Sequence, residues 1–121
     1  MLEFKVVLDK DGAQKYLNEN GADTDISKMM VMSVCDGEKI AGVGAVSMEN
    51  NKVVIEQIKC DDETLEYAMG KSLLNSLDLG GIKQVYINNP SIEKLAQKLR
   101  FKMDEDGIYS LNLEGYFTGG C

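Results

Sequence analysis

The stretch "VVIEQIKCDDETLEYAMGKSLLNSLDLGGIKQVYIN", residues 53–88, decides the fold. Its first eight residues are mostly apolar and often β-branched, which predicts a strand over 53–60. Residues 62–79 repeat apolar side chains at helical spacing and are followed by two glycines, so they predict a helix. A short apolar strand follows at 84–88. Because a strand–helix–strand crossover joins parallel strands, we expect these two strands to run parallel.

The remaining segments predict shorter elements around this unit. In chain order they are a strand at 3–7, a helix within 11–21, a three-strand meander within 29–60, a helix opened by Asn89-Pro90-Ser91, and a hairpin around Asp106-Gly107. Helices and strands in this order pack as helices on one shared sheet. The sequence therefore predicts one α+β (mixed α/β) domain over residues 1–121, with a loose glycine-rich tail at 114–121.

Composition excludes several classes of function. The chain has 20 acidic and 13 basic residues, a net charge of -7, and no basic cluster, which argues against a nucleic-acid partner. It has no apolar run long enough to span a membrane and no signal-peptide pattern. Three cysteines without a C-x-x-C motif predict small buried side chains rather than a disulfide framework. We therefore expect a cytoplasmic protein without a membrane partner.

The sequence contains no histidine, and this limits the chemistry further. Ser-His-Asp and Cys-His catalysis are excluded as they are usually built, and so are histidine metal sites. Three scattered cysteines cannot supply a four-cysteine zinc site, so we expect no metal. An enzyme built from this chain has to rely on positioning, hydrogen bonds, and a carboxylate or water as base.

Two glycine motifs need separate explanations. "GKS" at 70–72 lacks the earlier glycine of a phosphate-binding P-loop, because that position is Leu65. "GVG" at 42–44 is not followed by a helix, so it predicts a bulge or a close backbone approach. Gly70 lies inside the predicted helix, where glycine costs about 1 kcal/mol relative to alanine. It makes room either for a ligand at the helix start or for tight packing against the sheet.

The segments "IKCDDETLEYAMGKSLL" and "VYINNPSIEKLAQKLRF" resemble the GNAT superfamily of acyl-CoA-dependent N-acyltransferases. The family's [QR]-x-x-G-x-[GA] loop corresponds to residues 65–70, and its Asn and Phe correspond to Asn89 and Phe101. The likeness covers about residues 30–113. It departs from the family at Leu65, Ala68 and Arg100, and at Ala96, where the family often has a tyrosine. The chain more loosely resembles the GNAT-like N-terminal region of citrate lyase ligases.

This resemblance implies a mostly antiparallel, twisted sheet that splays at its parallel pair, with acetyl-CoA as acyl donor. The pantetheine arm would bond to the strand backbone near Ile58 and Cys60, and the pyrophosphate would sit on backbone amides from Glu66 to Lys71. The cofactor-binding residues implied in this way are Ile58, Cys60, Leu65, Glu66, Tyr67, Ala68, Met69, Gly70, Lys71 and Asn89. Lys71, Lys94, Lys98 and Arg100 either add positive charge there or lie on solvated helix faces.

The chemistry of acyl transfer from a thioester also fits a chain without histidine, since the donor is already activated. Glu56, inside the apolar run "VVIEQI", is the candidate base if it faces a cleft rather than solvent. Tyr109 is the candidate acid that replaces the tyrosine missing at Ala96, with Tyr67 as a second candidate. The acceptor would be a small amine or a peptide amine. The alternative is a catalytically weak or inactive GNAT-like module that binds CoA or a regulatory partner, and a homodimer stays open.

Overall fold

The computed structural model describes residues 1–117, which form one seven-stranded sheet with helices on both faces. The strands are β1 (Leu2–Val7), β2 (Met30–Asp36), β3 (Lys39–Glu49), β4 (Lys52–Cys60), β5 (Gln84–Ile87), β6 (Lys102–Met103) and β7 (Tyr109–Asn112). The α-helices are α1 (Asp11–Glu19), α2 (Glu63–Leu79) and α3 (Glu93–Lys98), and a 3₁₀ turn at Pro90–Ile92 precedes α3. The predicted order of elements is confirmed.

Helix α2 begins and ends where its sequence signals place it. Asp62 has extended backbone angles, and its carboxylate oxygen Oδ1 accepts the N–H of Leu65 at 2.8 Å, which caps the helix start. At the other end Gly81 has φ +89°, a left-handed conformation that glycine adopts without strain. Leu65, Met69, Leu73 and Leu77 form the buried stripe between these two ends. This stripe packs α2 on the sheet.

The strands lie in the order β1-β2-β3-β4-β5-β7-β6, and each neighbouring pair is antiparallel except β4 and β5. The parallel pair is short, because only Val53 and Val54 are in register with Val85 and Tyr86. Beyond Val54 the two strands separate. The predicted parallel crossover and the splayed sheet are therefore confirmed, and the separation opens beside the start of α2.

The sheet has a different core on each face. Helices α2 and α3 cover one face, where Val46, Ile55 and Ile58 are almost completely buried. Helix α1 covers the other face at β2 and β3, over Val31 and Val43. Within residues 1–117, no helix combines the length and apolar character that crossing a lipid bilayer requires.

The "GVG" motif lies in β3 under helix α2. A Cβ on Gly44 would lie 2.6 Å from Cδ1 of Leu73, and a Cβ on Gly42 would overlap the side chain of Cys60. Both glycines therefore let neighbouring side chains approach the β3 backbone. The predicted close approach is confirmed, and the motif is part of the core.

The first half of the predicted loose tail is ordered. Residues 114–117 form a turn in which the Tyr116 N–H bonds to the carbonyl of Leu113. The Tyr116 hydroxyl donates to the carbonyl of Leu99 at 2.9 Å. The expectation of a loose tail is therefore wrong for this turn, because it packs beside α3. The rest of the tail, including Cys121, lies outside the described residues.

Candidate functional site

A β-bulge on β4 lies just beyond the point where β4 and β5 separate. Ala45 of β3 faces Gln57, whereas the next residue, Val46, faces Ile55, so Glu56 is the extra residue of the bulge. The bulge shifts the alternation of side chains along the strand. Ile55 and Ile58 consequently lie in the same core, under α2 and α3, and Glu56 points to the opposite face.

Side chains, rather than β5, pair with the backbone of β4 beyond the bulge. Asn89 donates from its amide nitrogen to the carbonyl oxygen of Glu56 at 2.8 Å. The N–H of Ile58 donates to Oε1 of Gln57 at 3.1 Å, and the N–H of Cys60 donates to Oε2 of Glu66 at 3.3 Å. These backbone groups are the ones that a neighbouring strand would use. A ligand that extends along this edge can exchange with the side chains.

A cavity of about 500 Å³ lies beside this edge of β4, between the first turns of α2 and helix α3. We call it the donor groove because of the role that we propose for it. Its lining residues come from β4, α2, α3 and the loop after α1, and they are Gln57, Ile58, Lys59, Glu63, Glu66, Ser91, Ile92, Lys94, Leu95, Lys98 and residues 20–22. The groove therefore joins the predicted strand backbone to the predicted helix start.

The charged residues of the groove divide between its two walls. Glu63 and Glu66 belong to α2, and Lys94 and Lys98 belong to α3. Lys59, at the end of β4, adds a third cation. Lys98 and Glu63 face each other across the groove with Nζ and Oε2 3.7 Å apart, and both side chains are more than half exposed. Exposed pairs of this kind are weak and can open to admit an anion.

The backbone N–H groups at the start of α2 that make no bond inside the helix lie earlier in the chain than the sequence predicted. Residues 67–71 lie inside the helix, so their N–H groups bond to carbonyls four residues earlier. The N–H of Leu65 bonds to the Asp62 carboxylate, and that of Glu66 bonds to the Asp62 carbonyl. The amides without a partner inside the helix are those of Glu63 and Thr64. The expected amide cradle from Glu66 onward is therefore corrected.

Gly70 makes room for another side chain and not for a ligand. A Cβ at this position would lie 2.7 Å from Cδ1 of Leu99, which is completely buried after α3. Of the two explanations for this glycine, tight packing is correct, although its partner is Leu99 rather than the sheet. Leu65 and Met69 are likewise buried in the core. Ala68 is half-buried on the side of α2 that faces Leu2 and Phe4.

Lys71 lies in an aromatic cluster away from the donor groove. Its Nζ is 4.5 Å from the ring centre of Tyr116, 5.1 Å from that of Phe117 and 6.0 Å from that of Tyr67. Cation–π attraction of this kind holds the C-terminal turn against α2. The predicted roles of Lys71 and Tyr67 at the ligand therefore receive no support from their positions. Arg100 also lies outside the groove lining.

Glu56 faces a second cavity, of about 330 Å³, on the α1 side of the sheet. We call it the acceptor pocket because of the role that we propose for it, and its lining residues are Lys52, Val54, Glu56, Tyr86, Asn88, Asp104, Asp106 and Ile108. The hydroxyl of Ser47 donates to Oε2 of Glu56 and fixes the carboxylate. The bulge thus places the predicted base in a cleft on the face opposite α2.

Tyr86 shares the acceptor pocket with Glu56, and the sequence reasoning missed it. The sequence feature that could have indicated Tyr86 is its position between Val85 and Ile87, because both of these residues are completely buried in the core under α2 and α3. Alternation along β5 turns Tyr86 to the other face, and its register with Val54 brings it to the base of the separation. Tyr86, and not Tyr109, therefore shares a cavity with Glu56.

Tyr109, the predicted acid, is buried under α3. Its hydroxyl donates to Oε1 of Glu93 at 3.1 Å and accepts from Nε2 of Gln97 at 3.0 Å. It lines neither the donor groove nor the acceptor pocket. The assignment of Tyr109 as the acid is therefore corrected, because its hydroxyl is committed to α3.

The Cys60 thiol is buried at the end of β4. Burial, followed by the nearby charge of Glu66, raises the pKa of the Cys60 thiol to about 12. Nearby, burial and a 2.8 Å hydrogen bond to Asp61 raise the pKa of Tyr16 above its usual range. The expectation of a buried cysteine is confirmed at Cys60, whereas Cys35 is half-buried.

Comparison with known proteins decides the fold. No protein-family model matches the sequence, and no curated protein matches it. The structure is similar to an acetyltransferase of the GNAT family from Staphylococcus aureus, with a TM-score of 0.65, 11% identity, and coverage of 93% of this chain and 99% of that one. The chain has the GNAT fold.

Two further solved structures share the GNAT fold with this chain. The ribosomal-protein-S18-alanine N-acetyltransferase from Escherichia coli matches with a TM-score of 0.66, 14% identity, and coverage of 93% of this chain and 94% of that one. A variant of the AtaT toxin, bound to the C-terminus of the antitoxin AtaR and to acetyl-CoA, matches with a TM-score of 0.66, 12% identity, and coverage of 97% and 98%. The expectation of a GNAT fold is confirmed, whereas the looser resemblance to citrate lyase ligases stays a prediction.

Proposed function

We propose that the protein is an acyl-CoA-dependent N-acyltransferase that moves an acetyl group from acetyl-CoA to a primary amine by direct attack. The observation that carries the proposal is the edge of β4 beyond its bulge. There the N–H groups of Ile58 and Cys60 are held by the side chains of Gln57 and Glu66 instead of a strand. This edge forms one wall of the donor groove.

The donor binds as an added strand in this proposal. The pantetheine arm has amide groups that can replace Gln57 and Glu66 on the N–H groups of Ile58 and Cys60. Its thioester end then points along β4 towards the bulge at Glu56. The AtaT variant with the same fold was solved with acetyl-CoA, which supports this choice of donor.

The acceptor amine enters from the other face of the sheet. Glu56, Asp104 and Asp106 line the acceptor pocket together with one basic residue, Lys52. An excess of carboxylates draws a protonated amine towards the site. The ammonium first loses one proton to water, which leaves the neutral amine as the nucleophile. The Glu56 carboxylate then takes a second proton from this nitrogen, directly or through water, as the nitrogen forms a bond to the thioester carbonyl carbon.

The bond between that carbon and the sulfur then breaks, and the sulfur leaves as the thiolate of CoA. Tyr86, which lines the acceptor pocket, would donate a proton to this thiolate. A thiolate leaves readily, so such an acid improves turnover without being required. The E. coli enzyme with the same fold is named for acetylation of an alanine in a ribosomal protein, which supports an amine acceptor, including a peptide amine.

A second candidate function is a module that binds CoA without efficient catalysis. It is favoured by Ala96, which stands where the family often has its acid, and by Tyr109, whose hydroxyl bonds to Glu93 and Gln97. Both functions require the donor groove. They differ in whether Glu56 and the acceptor pocket carry out chemistry.

Thermal unfolding with and without acetyl-CoA tests the shared part of both functions. A ligand at a hundredfold excess over its Kd stabilises the folded chain by about 2.7 kcal/mol, so the midpoint should rise clearly. Release of free thiol with a panel of primary amines then separates catalysis from binding. Unchanged midpoints would refute both functions, and a raised midpoint without thiol release would leave the module.

A further inference from the structure

The start of α2 carries several carboxylates, which disfavour the binding of a diphosphate there. Asp61, Asp62, Glu63 and Glu66 fall within six residues, and the Asp62 carboxylate already occupies the N–H of Leu65. Glu66 is bonded to the N–H of Cys60 at the same corner. A doubly charged anion beside these carboxylates would be repelled, and this offsets the attraction of the helix dipole.

The opposite wall of the donor groove has the charge that the helix start lacks. Lys94 and Lys98 are four residues apart on α3, so they project from the same face of the helix. Lys59 joins them from the end of β4, and all three line the same cavity. In a chain of net charge -7, this groove combines three cations with an edge that accepts an extended ligand.

Lys94 and Lys98 are free to bind an anion, because they are exposed and the ion pair of Lys98 is weak. Nζ of Lys98 lies 3.7 Å from Oε2 of Glu63, whose side chain is 87% exposed. Lys94 and Lys98 are themselves exposed on α3, so a phosphate in the groove can reach both. A bound phosphate would gain two charged donors there, and charge-assisted hydrogen bonds are the strong ones.

We infer that the phosphates of the acyl donor are held by the side chains of Lys94 and Lys98, with Lys59, and not by the backbone amides of α2. This inference rests on the proposed function and names the residues that determine which donor it takes. Recognition by side chains makes a prediction that amide recognition does not, namely that binding of the phosphates depends on these lysines.

The test measures the Kd of CoA and of pantetheine by titration calorimetry. The proteins are the wild type, Lys94→Gln/Lys98→Gln, and the matched control Lys15→Gln/Lys102→Gln, which removes the same charge from exposed positions outside the groove. The groove variant should bind CoA at least about tenfold more weakly, whereas its affinity for pantetheine, which has no phosphate, should not change. Melting midpoints confirm that each variant folds.

A second variant tests the opposite wall. Glu63→Gln/Glu66→Gln removes two carboxylates beside the groove, so CoA should bind several-fold more tightly to it while pantetheine changes less. The inference is overturned if the groove-lysine variant keeps wild-type affinity for CoA, or if the wild type binds CoA and pantetheine equally well. In both cases the proposed function stands. Wild-type protein that binds neither compound would overturn the proposed function itself.

Discussion

The side-chain nitrogen of Asn89 lies 2.8 Å from the backbone oxygen of Glu56, and this hydrogen bond crosses the gap where β4 and β5 separate. The side-chain oxygen of the same asparagine accepts the N–H and the hydroxyl of Ser91 and so opens the 3₁₀ turn before α3. One residue thus fixes both the bulge on β4 and the start of the helix that forms the far wall of the groove.

Asn89→Ala is expected to lower the free energy of unfolding by about 1–3 kcal/mol. It removes a helix cap and leaves the carbonyl of Glu56 without its partner. Chemical denaturation measures the effect, and Asn88→Ala at the exposed neighbouring position is the control. Equal stability of the two variants would show that the bond across the gap contributes nothing.

Gly70→Val is expected to destabilise the fold by about 1–3 kcal/mol, because its side chain would overlap Leu99. Asn75→Val, at an exposed position of the same helix, controls for the general effect of valine on a helix. Denaturation of Gly70→Val, Leu99→Ala and the double variant measures the coupling. The double variant should be more stable than the sum of the single effects predicts, and strict additivity would contradict the contact.

Glu56→Gln is expected to lower the turnover of amine acetylation by about 10²–10⁴-fold, because the amide cannot take a proton. The affinity for acetyl-CoA should stay at the wild-type value, since Glu56 faces the acceptor pocket and not the donor groove. Steady-state kinetics with calorimetric Kd values separate the two effects. Glu49→Gln, at the exposed end of β3, is the matched control, and a wild-type rate in Glu56→Gln would exclude the carboxylate as the base.

The Cys60 thiol is expected to make the fold less stable in alkali. Its pKa is raised from 9.0 to about 12 on folding, so between these values the unfolded chain has lost a proton that the folded chain keeps. The free energy of unfolding should therefore fall by up to about 1.4 kcal/mol per pH unit above pH 9, and this group has no effect below it. Denaturation from pH 8 to 11 measures the slope.

Cys60→Ala should show a shallower decline over this range, whatever its stability at pH 8. Tyr16 contributes in the same direction at its higher pKa, but it is present in both proteins and cancels in the comparison. Identical slopes for the wild type and Cys60→Ala would contradict the assignment.

The fold was largely readable from sequence because its signals are local. The cap at Asp62, the stripe on α2 and the glycines after it are close in the chain, and the crossover rule then fixes the parallel pair. The bulge also has a signal in the sequence that the prediction did not use. The apolar residues of β4 in the core under α2 and α3 fall at 53 and 55 and again at 58 and 60, so the period of two slips by one residue at Glu56.

The site was harder to predict because it depends on contacts between distant segments. Gly70 and Leu99 are 29 residues apart, and their overlap is a property of how α2 and α3 pack. Likewise, Tyr109 was predicted to be the acid as a substitute for the tyrosine missing at Ala96, whereas its distance to Glu93 is set by the register of β7 against β5. Residue type and spacing offer no information on either distance.

The side chains that bond to the β4 backbone also affect how readily two copies of this chain pair through their strands. A strand edge with unpaired N–H groups inside a sheet is a template for edge-to-edge aggregation. Gln57 and Glu66 occupy two of these donors, and the charge on Glu66 discourages a foreign strand from docking there. The two side chains therefore disfavour the pairing of a strand from another molecule at the gap in the sheet.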